Sequence, residues 1–188
     1  VLLRRDYSVG PRFVKQAALF YGLMAVAAAL WSGLRGWGLP VSGGEPLREA
    51  LLGILAATAT VLLGALTYRL LPPLRKLADE LAPHLVDPAD RAGLILISAF
   101  SGISEEMFFR GAVQREFGLV LAALLFGALH IGPDRRYLVW TAWALAAGLL
   151  YGVLFEATGG LLAPALAHGL HNAATLLAWK RLRERRPG

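Results

Sequence analysis

Residues Gln16–Leu34 read QAALFYGLMAVAAALWSGL, 19 positions without one charged side chain. A helix of that length reaches about 28 Å at 1.5 Å per residue. That nearly matches the ~30 Å hydrocarbon core of a bilayer. Two further stretches of 19 residues, Ala50–Tyr68 and Tyr137–Phe155, are equally free of charge. Three others complete a set of six. Phe117–Pro133 is shorter, at 17 residues, and closes on Gly132-Pro133, a helix stop. Ala157–Trp179 is long enough but carries His168, His171 and Asn172. Ala92–Arg110 is apolar only as far as Ser104, then runs into Glu105-Glu106 and Arg110. The fold class that follows is all-α: a polytopic transmembrane helix bundle of about six spans.

The composition agrees. The 188 residues are 56% apolar and 17% charged, against roughly 45–50% and about 25% for soluble domains. Long charge-free tracts exclude intrinsic disorder and a collagen-like chain. The net charge of +6 and isoelectric point near 10.2 do not indicate nucleic acid. Lys and Arg flank the apolar runs, where anionic lipid is the expected partner. The absence of Cys excludes a disulfide framework, a thiolate metal site and a Cys nucleophile.

Loop charges give an orientation. With six spans both termini share a side, and that side holds 15 of the 19 basic residues, including Arg4, Arg5, Arg12, Lys15, Arg91, Arg135, Arg136 and Arg186. The opposite side has Arg35, Arg48, Arg110 and Arg115, of which Arg110 is expected inside the bundle. Both termini are therefore expected in the cytoplasm. Gln16–Leu34 is too long for a signal peptide and has no small-residue cleavage site. The sequence starts at Val1 rather than Met, which leaves room for residues or a further helix ahead of it.

The chain reads as a single domain over 1–188, with two N-terminal spans in 16–71 and a core of interest at about 92–180. The polar stretch Pro72–Arg91 contains an amphipathic helix, Leu74–Leu85, expected to lie on the membrane surface with His84 exposed. Gly148-xxx-Gly152 fits close helix packing.

A carboxylate at the bilayer centre costs roughly 2.5–3.5 kcal/mol on insertion scales, so polar residues within spans are candidates for function. On a helix Glu106 and Arg110 are i,i+4 neighbours in the favourable order for an ion pair. That pairing leaves Glu105, turned about 100° away, free for another partner. The bland alternative is a solvated helix end at the interface. His130 closes Phe126-Gly127-Ala128-Leu129-His130, and taken alone it suits an interfacial or packed residue. His168 and Asn172 share a face at i,i+4 with His171 near it, and taken alone they suit hydrogen bonds between helices. Together, a buried carboxylate, an imidazole from a second helix and an imidazole–amide pair from a third form a hydrolytic set. Glu with His deprotonates a water, and His with Asn donates to a developing oxyanion. Ser101 and Ser104 have no evident base in sequence. There is no HExxH, no GxSG and no pair of aspartates in spans.

Glu105-Glu106-xxx-Arg110, Phe126-xxx-His130 and His168-xxx-Asn172, in that order, resemble the motif set of the CPBP family. These are the CAAX-prenyl-protease and bacteriocin-processing intramembrane endopeptidases, also called Abi. The resemblance covers Ser101 to about Ala174. It implies Glu105 as general base, His130 binding the same water, and His168 with Asn172 as oxyanion hole. It implies Glu106 and Arg110 as support for the site and Phe126 as packing. The family is usually described as glutamate-dependent, so no cofactor is expected. His171 is extra to the pattern and leaves open a zinc site of Glu105, His130, His168 and His171.

The leading expectation is an intramembrane endopeptidase acting on a membrane-associated protein or peptide. The alternatives are a non-catalytic protein of the same fold, for bacteriocin immunity or scaffolding, and a proton-coupled transporter. Arg outnumbers Lys by 16 to 3, a compositional hint toward a bacterial inner membrane.

Overall fold

The computed structural model describes residues 10–185. Among them the chain forms seven helices and no strand. These are α1 (Gly10–Leu34), α2 (Pro46–Leu70), α3 (Pro72–Val86), α4 (Arg91–Phe117), α5 (Leu119–Ala128), α6 (Leu138–Thr158) and α7 (Leu162–Glu184).

Local chemistry explains the breaks. Pro46 and Pro72 open α2 and α3, where a missing N–H costs nothing. Asp90 caps α4 by accepting the Gly93 N–H at 2.7 Å. Gly118, at φ 83, separates α4 from α5. Gly159, at φ 70, ends α6 in the left-handed conformation common after helices.

The packing inverts that of a soluble domain. Leu19, Leu23, Val26 and Leu30 of α1 are exposed, as are Leu51, Leu55 and Leu62 of α2. Many of the buried positions are small or polar: Ala28, Ala56, Ala57, Ala122, Ala123, Ala163 and Ala167, with Ser32, Glu49, Ser98, Ser101, Glu106 and Arg110. Apolar surface outward and small or hydrogen-bonding residues inward is how helices associate in lipid. The chain is an integral membrane helix bundle.

Four helical stretches have the length and apolarity to cross a membrane: Arg12–Leu34, Pro46–Leu70, Arg91–Phe117 and Arg135–Thr158. The other two of the six expected spans fall short of that measure. In place of Phe117–Pro133 there is only α5, ten residues long, which reaches about 15 Å. Gly118 delays its start, and its C-terminus tightens into a turn in which the His130 N–H donates to the Gly127 carbonyl at 2.9 Å. α7 has the length but carries His168, His171, Asn172 and a basic end. It also starts later than expected, because Ala157 and Thr158 belong to α6.

The amphipathic stretch forms α3 as expected, but its apolar face covers protein. Leu77, Ala78, Ala82 and Val86 are buried, and Val86 packs in a cluster with Leu94, Leu176, Leu177 and Trp179. His84 is exposed.

At one end of the bundle Arg91 pairs with Glu184 at 2.6 Å, Arg183 with Asp87 at 2.7 Å and Arg136 with Glu80 at 2.5 Å. At the other, Arg35 pairs with Glu116, and Arg115 donates to the Gly38 carbonyl at 2.9 Å. Arg4, Arg5 and Arg186, which contribute to the charge asymmetry, lie outside the described residues. The loop after α1 is fixed at that second end. The Leu161 and Leu162 N–H groups donate to the Pro40 and Val41 carbonyls at 2.9 and 2.8 Å. Glu49 holds the same loop by accepting from the Ser42 hydroxyl and the Gly43 and Glu45 N–H groups.

α4 and α7 form the centre and meet at two glycines. A Cβ on Gly102 would stand 2.6 Å from the Gly169 nitrogen and 2.9 Å from the Ala165 carbonyl oxygen, both backbone atoms. Gly102→Ala should therefore force the two helices apart, at a cost of about 1–3 kcal/mol. Thermal unfolding in detergent checks this, and an unchanged midpoint would show that the crossing tolerates a methyl.

Candidate active site

The glycine crossing sets the site, because Glu105 and Glu106 follow Gly102 on α4, and His168 precedes Gly169 on α7. Immediately after Glu106 the helix changes form. Met107–Gln114 is π-helical, with i→i+5 hydrogen bonds in place of i→i+4. Such segments are rare and concentrate at functional sites. The Ser32 hydroxyl of α1 donates to the Gly111 carbonyl at 3.1 Å, seating this segment against α1.

Three polar side chains form a buried ladder on one face of α4. Glu106 is fully buried and pairs through Oε2 with Arg110 Nε at 3.0 Å, the contact expected from the spacing. Arg110 Nη2 donates to the Gly148 carbonyl at 2.7 Å. One turn on, Gln114 Nε2 donates to the Gly152 carbonyl at 3.1 Å and to Glu156 Oε1 at 3.1 Å. The two glycines of the α6 motif thus do more than let helices approach. Their carbonyls receive the ladder, and a Cβ at Gly152 would lie 2.7 Å from Gln114 Oε1. Arg110 Nη1 has no hydrogen-bond acceptor. The guanidinium carbon lies 5.1 Å from the Phe126 ring centre and 5.8 Å from that of Tyr151, so π-faces carry part of its charge.

The second oxygen of Glu106 reaches across the helices. Oε1 accepts from His168 Nδ1 at 2.8 Å, a contact absent from the sequence-based reading, which gave Glu106 to Arg110 alone. A carboxylate offers only acceptors, so Nδ1 is the protonated nitrogen and the ring is held in one orientation. Tyr151 stacks on the ring at 5.1 Å and 19°, and Phe126 meets it edge-on at 5.9 Å. Nε2 is left for chemistry. With both carboxylates ionised, Glu105, Glu106, Arg110 and His168 balance only when His168 carries a proton on each nitrogen. In that form Nε2 is a donor.

The Glu105 carboxyl lies in the neighbourhood of His168, His130 and Tyr21 of α1. His130 follows the end of α5, and its Nδ1 hydrogen-bonds the Phe126 carbonyl at 2.7 Å. A carbonyl only accepts, so that nitrogen carries the proton and Nε2 has the lone pair. The Thr141 hydroxyl donates to the His130 carbonyl at 3.0 Å and ties this turn to α6. Asn172 Nδ2 donates to Ser101 Oγ at 2.9 Å, which leaves its second N–H and its carbonyl oxygen.

Three chain segments therefore bring Glu105, His130 and His168 together, with Asn172 one turn beyond His168. His171 does not join them. Its Nδ1 meets Thr60 of α2 at 3.0 Å and its ring lies 5.8 Å from Trp143. Thr60 donates its own proton to the Ala56 and Ala57 carbonyls, so it accepts from His171. Among the described residues no group of three or more His, Cys, Asp or Glu side chains is arranged to hold a metal ion. Of the set Glu105, His130, His168 and His171, the last thus has its Nδ1 engaged by Thr60.

Sequence reasoning passed over Gln114, Tyr21 and Tyr151. Gln114 was findable as the next i,i+4 step beyond Glu106 and Arg110. Tyr21 sits in an unbroken apolar span that gives no sign of a partner on α4.

The motif-bearing half of the chain has known relatives. Residues 88–174 match the model of a family described as type II CAAX prenyl endopeptidase Rce1-like. A Bacillus subtilis (strain 168) protein described as uncharacterized protein YpbD is 38% identical over 80 residues. That stretch is 43% of this chain and 42% of the relative, so the similarity spans well under half of each. No solved structure matches. The residues that resemble the CAAX-protease and bacteriocin-processing group in sequence thus lie within the segment, 88–174, that matches the Rce1-like endopeptidase family.

Proposed function

We propose that the chain is an intramembrane endopeptidase that hydrolyses a peptide bond of a membrane-associated protein or peptide. The observation that carries this reading is the fully buried Glu106–His168 contact beside a second carboxylate, Glu105, which makes no salt bridge among the described residues. One carboxylate is committed to orienting an imidazole, and its sequence neighbour is left as a base. Glu105 takes the proton of a water held by the His130 Nε2 lone pair. That water attacks the scissile carbonyl, His168 Nε2 and the free Asn172 N–H donate to the oxyanion, and on collapse the C–N bond breaks while Glu105 passes its proton to the leaving nitrogen. Arg110 counters the charge of Glu106, so that His168 keeps its orientation without drawing Glu105 away. The mechanism is glutamate-dependent and needs no metal ligand from His171.

We further propose that the end of the bundle carrying Arg91, Arg136, Lys180 and Arg183 faces the cytoplasm, with both termini. The charge asymmetry of the loops supports this, and the Arg-rich, Ala-rich composition supports a bacterial inner membrane. The substrate would then be a small peptide or a segment of a membrane protein.

The experiment uses the purified protein in liposomes with a panel of quenched fluorescent peptides, some bearing a C-terminal prenyl group. Glu105→Ala and His130→Ala should lose cleavage, and His171→Ala should keep it within about twofold. Equal rates for the parent, Glu105→Ala and His130→Ala would refute the assignment. Metal analysis of the same preparation, with chelator treatment, separates a glutamate enzyme from a zinc enzyme. Full activity after chelation is the expected outcome.

A further inference from the structure

Glu106 fixes the His168 ring at one atom. Its Oε1 accepts from Nδ1 at 2.8 Å, and the covalent tie at Cβ is the other point of attachment. A ring held at those two points can still rock out of its own plane. The atom that swings furthest is Nε2, across the ring from the bond, and Nε2 is the atom that the proposed mechanism uses.

Tyr151 of α6, which belongs to none of the three motifs, opposes that motion. Its ring lies on the imidazole with 5.1 Å between centres and 19° between planes. A tilt of His168 in one sense drives it into the phenol face, and a tilt in the other pulls it off that face. Phe126 comes in edge-on at 5.9 Å and 80°, so a second ring bounds the imidazole.

The plate is itself fixed from α4. Tyr151 is 2% exposed and packs with Ala56 of α2 and Ala167 of α7. On α6 it stands between two carbonyls that the buried ladder grips. Arg110 Nη2 donates to Gly148, three residues before it, at 2.7 Å, and Gln114 Nε2 to Gly152, directly after it, at 3.1 Å. Those bonds set the height of α6 against α4, and with it the height of the ring. α4 therefore holds His168 twice, through Glu106 at the ring edge and through the ladder and Tyr151 at the ring face. The Tyr151 hydroxyl makes no hydrogen bond among the described residues, so the face does the holding.

We infer that Tyr151 is a positioning residue of the proposed protease: its ring face keeps the His168 ring in plane, so that Nε2 stays on the oxyanion. The inference rests on the endopeptidase reading. The contact matters in the chemical step and leaves substrate binding alone.

The test compares Tyr151→Leu, Tyr151→Met and Tyr151→Phe in liposomes, on a peptide that the parent cleaves. Leu and Met fill the space with aliphatic atoms and remove the face. In each, kcat should fall about three- to tenfold, the worth of an aromatic pair, with KM within about twofold. Tyr151→Phe keeps the face and drops the hydroxyl, so it should recover most of the lost rate. A thermal melt shows that each protein assayed is folded. A folded Leu or Met variant with kcat within about twofold of the parent overturns the inference. So does a Phe variant as slow as Leu, or loss of folding in both aliphatic variants, which would make Tyr151 a packing residue. Glu105→Gln separates the two levels. If it cleaves like the parent, the endopeptidase reading fails; if it is inactive while a folded Tyr151→Leu is normal, only the role of Tyr151 fails.

Discussion

Glu105→Gln should lower the rate of peptide cleavage by roughly 10²–10⁴-fold, the range for removing a positioned general base, while the protein melts close to the parent temperature. The substitution is nearly isosteric. It replaces one carboxylate oxygen by an amide nitrogen, and the group can no longer take a proton from water. Stability should barely change, because Glu105 carries no ion pair among the described residues. Glu105→Asp is the informative companion. It retains the base but withdraws it by one methylene, which forfeits the alignment on which attack depends, so an intermediate rate is expected. Steady-state cleavage with a thermal melt on each preparation reads both quantities. A Gln variant that melts normally and cleaves at the parent rate would remove Glu105 from the reaction.

The adjacent carboxylate should behave in the opposite way. Glu106→Ala strips the charge partner from a fully buried Arg110 and the acceptor from His168 at once. Breaking one half of a buried pair typically costs about 3–5 kcal/mol, mostly because the remaining charge is left uncompensated. This variant should therefore lose much of its folded population in detergent. Removing the guanidinium as well should recover stability. Glu106→Leu combined with Arg110→Met leaves no stranded charge, and such replacements are often neutral. That double variant should melt near the parent yet cleave poorly, because His168 no longer has an oriented Nδ1–H. Melting curves distinguish the cases. A single Glu106→Ala as stable as the parent would mean that water or lipid headgroups reach Arg110.

The contrast between these glutamates shows what a sequence discloses. The Glu106–Arg110 spacing follows from helix geometry alone, and the side chains meet as that geometry requires. The membrane class is legible from charge-free tracts because the bilayer imposes one length on every crossing helix. Less legible is anything set by contact between helices. The His168–Glu106 bond joins residues far apart in sequence, and nothing in His168-Gly169-Leu170-His171-Asn172 says which histidine turns toward α4. The choice falls to Gly169, which lets α7 approach Gly102 and brings the His168 face inward, while His171 turns to Thr60. Tyr21 is hidden for a related reason, since a tyrosine in an apolar run looks the same whether it faces lipid or a carboxylate. The short α5 escapes hydropathy because Gly118, not a change in polarity, sets its start.

The buried ladder on α4 bears on how the protein is made. Arg110 and Gln114 find acceptors on Gly148 and Gly152, and α6 leaves the ribosome only after α5 and the following turn. Until then α4 presents a guanidinium held only by Glu106 on its own helix and an amide whose acceptors on α6 are not yet made. Released sideways into lipid alone, such a helix would carry unsatisfied polar groups into the hydrocarbon at a cost. Entering the bilayer together with α6, as a pair already joined, removes that cost.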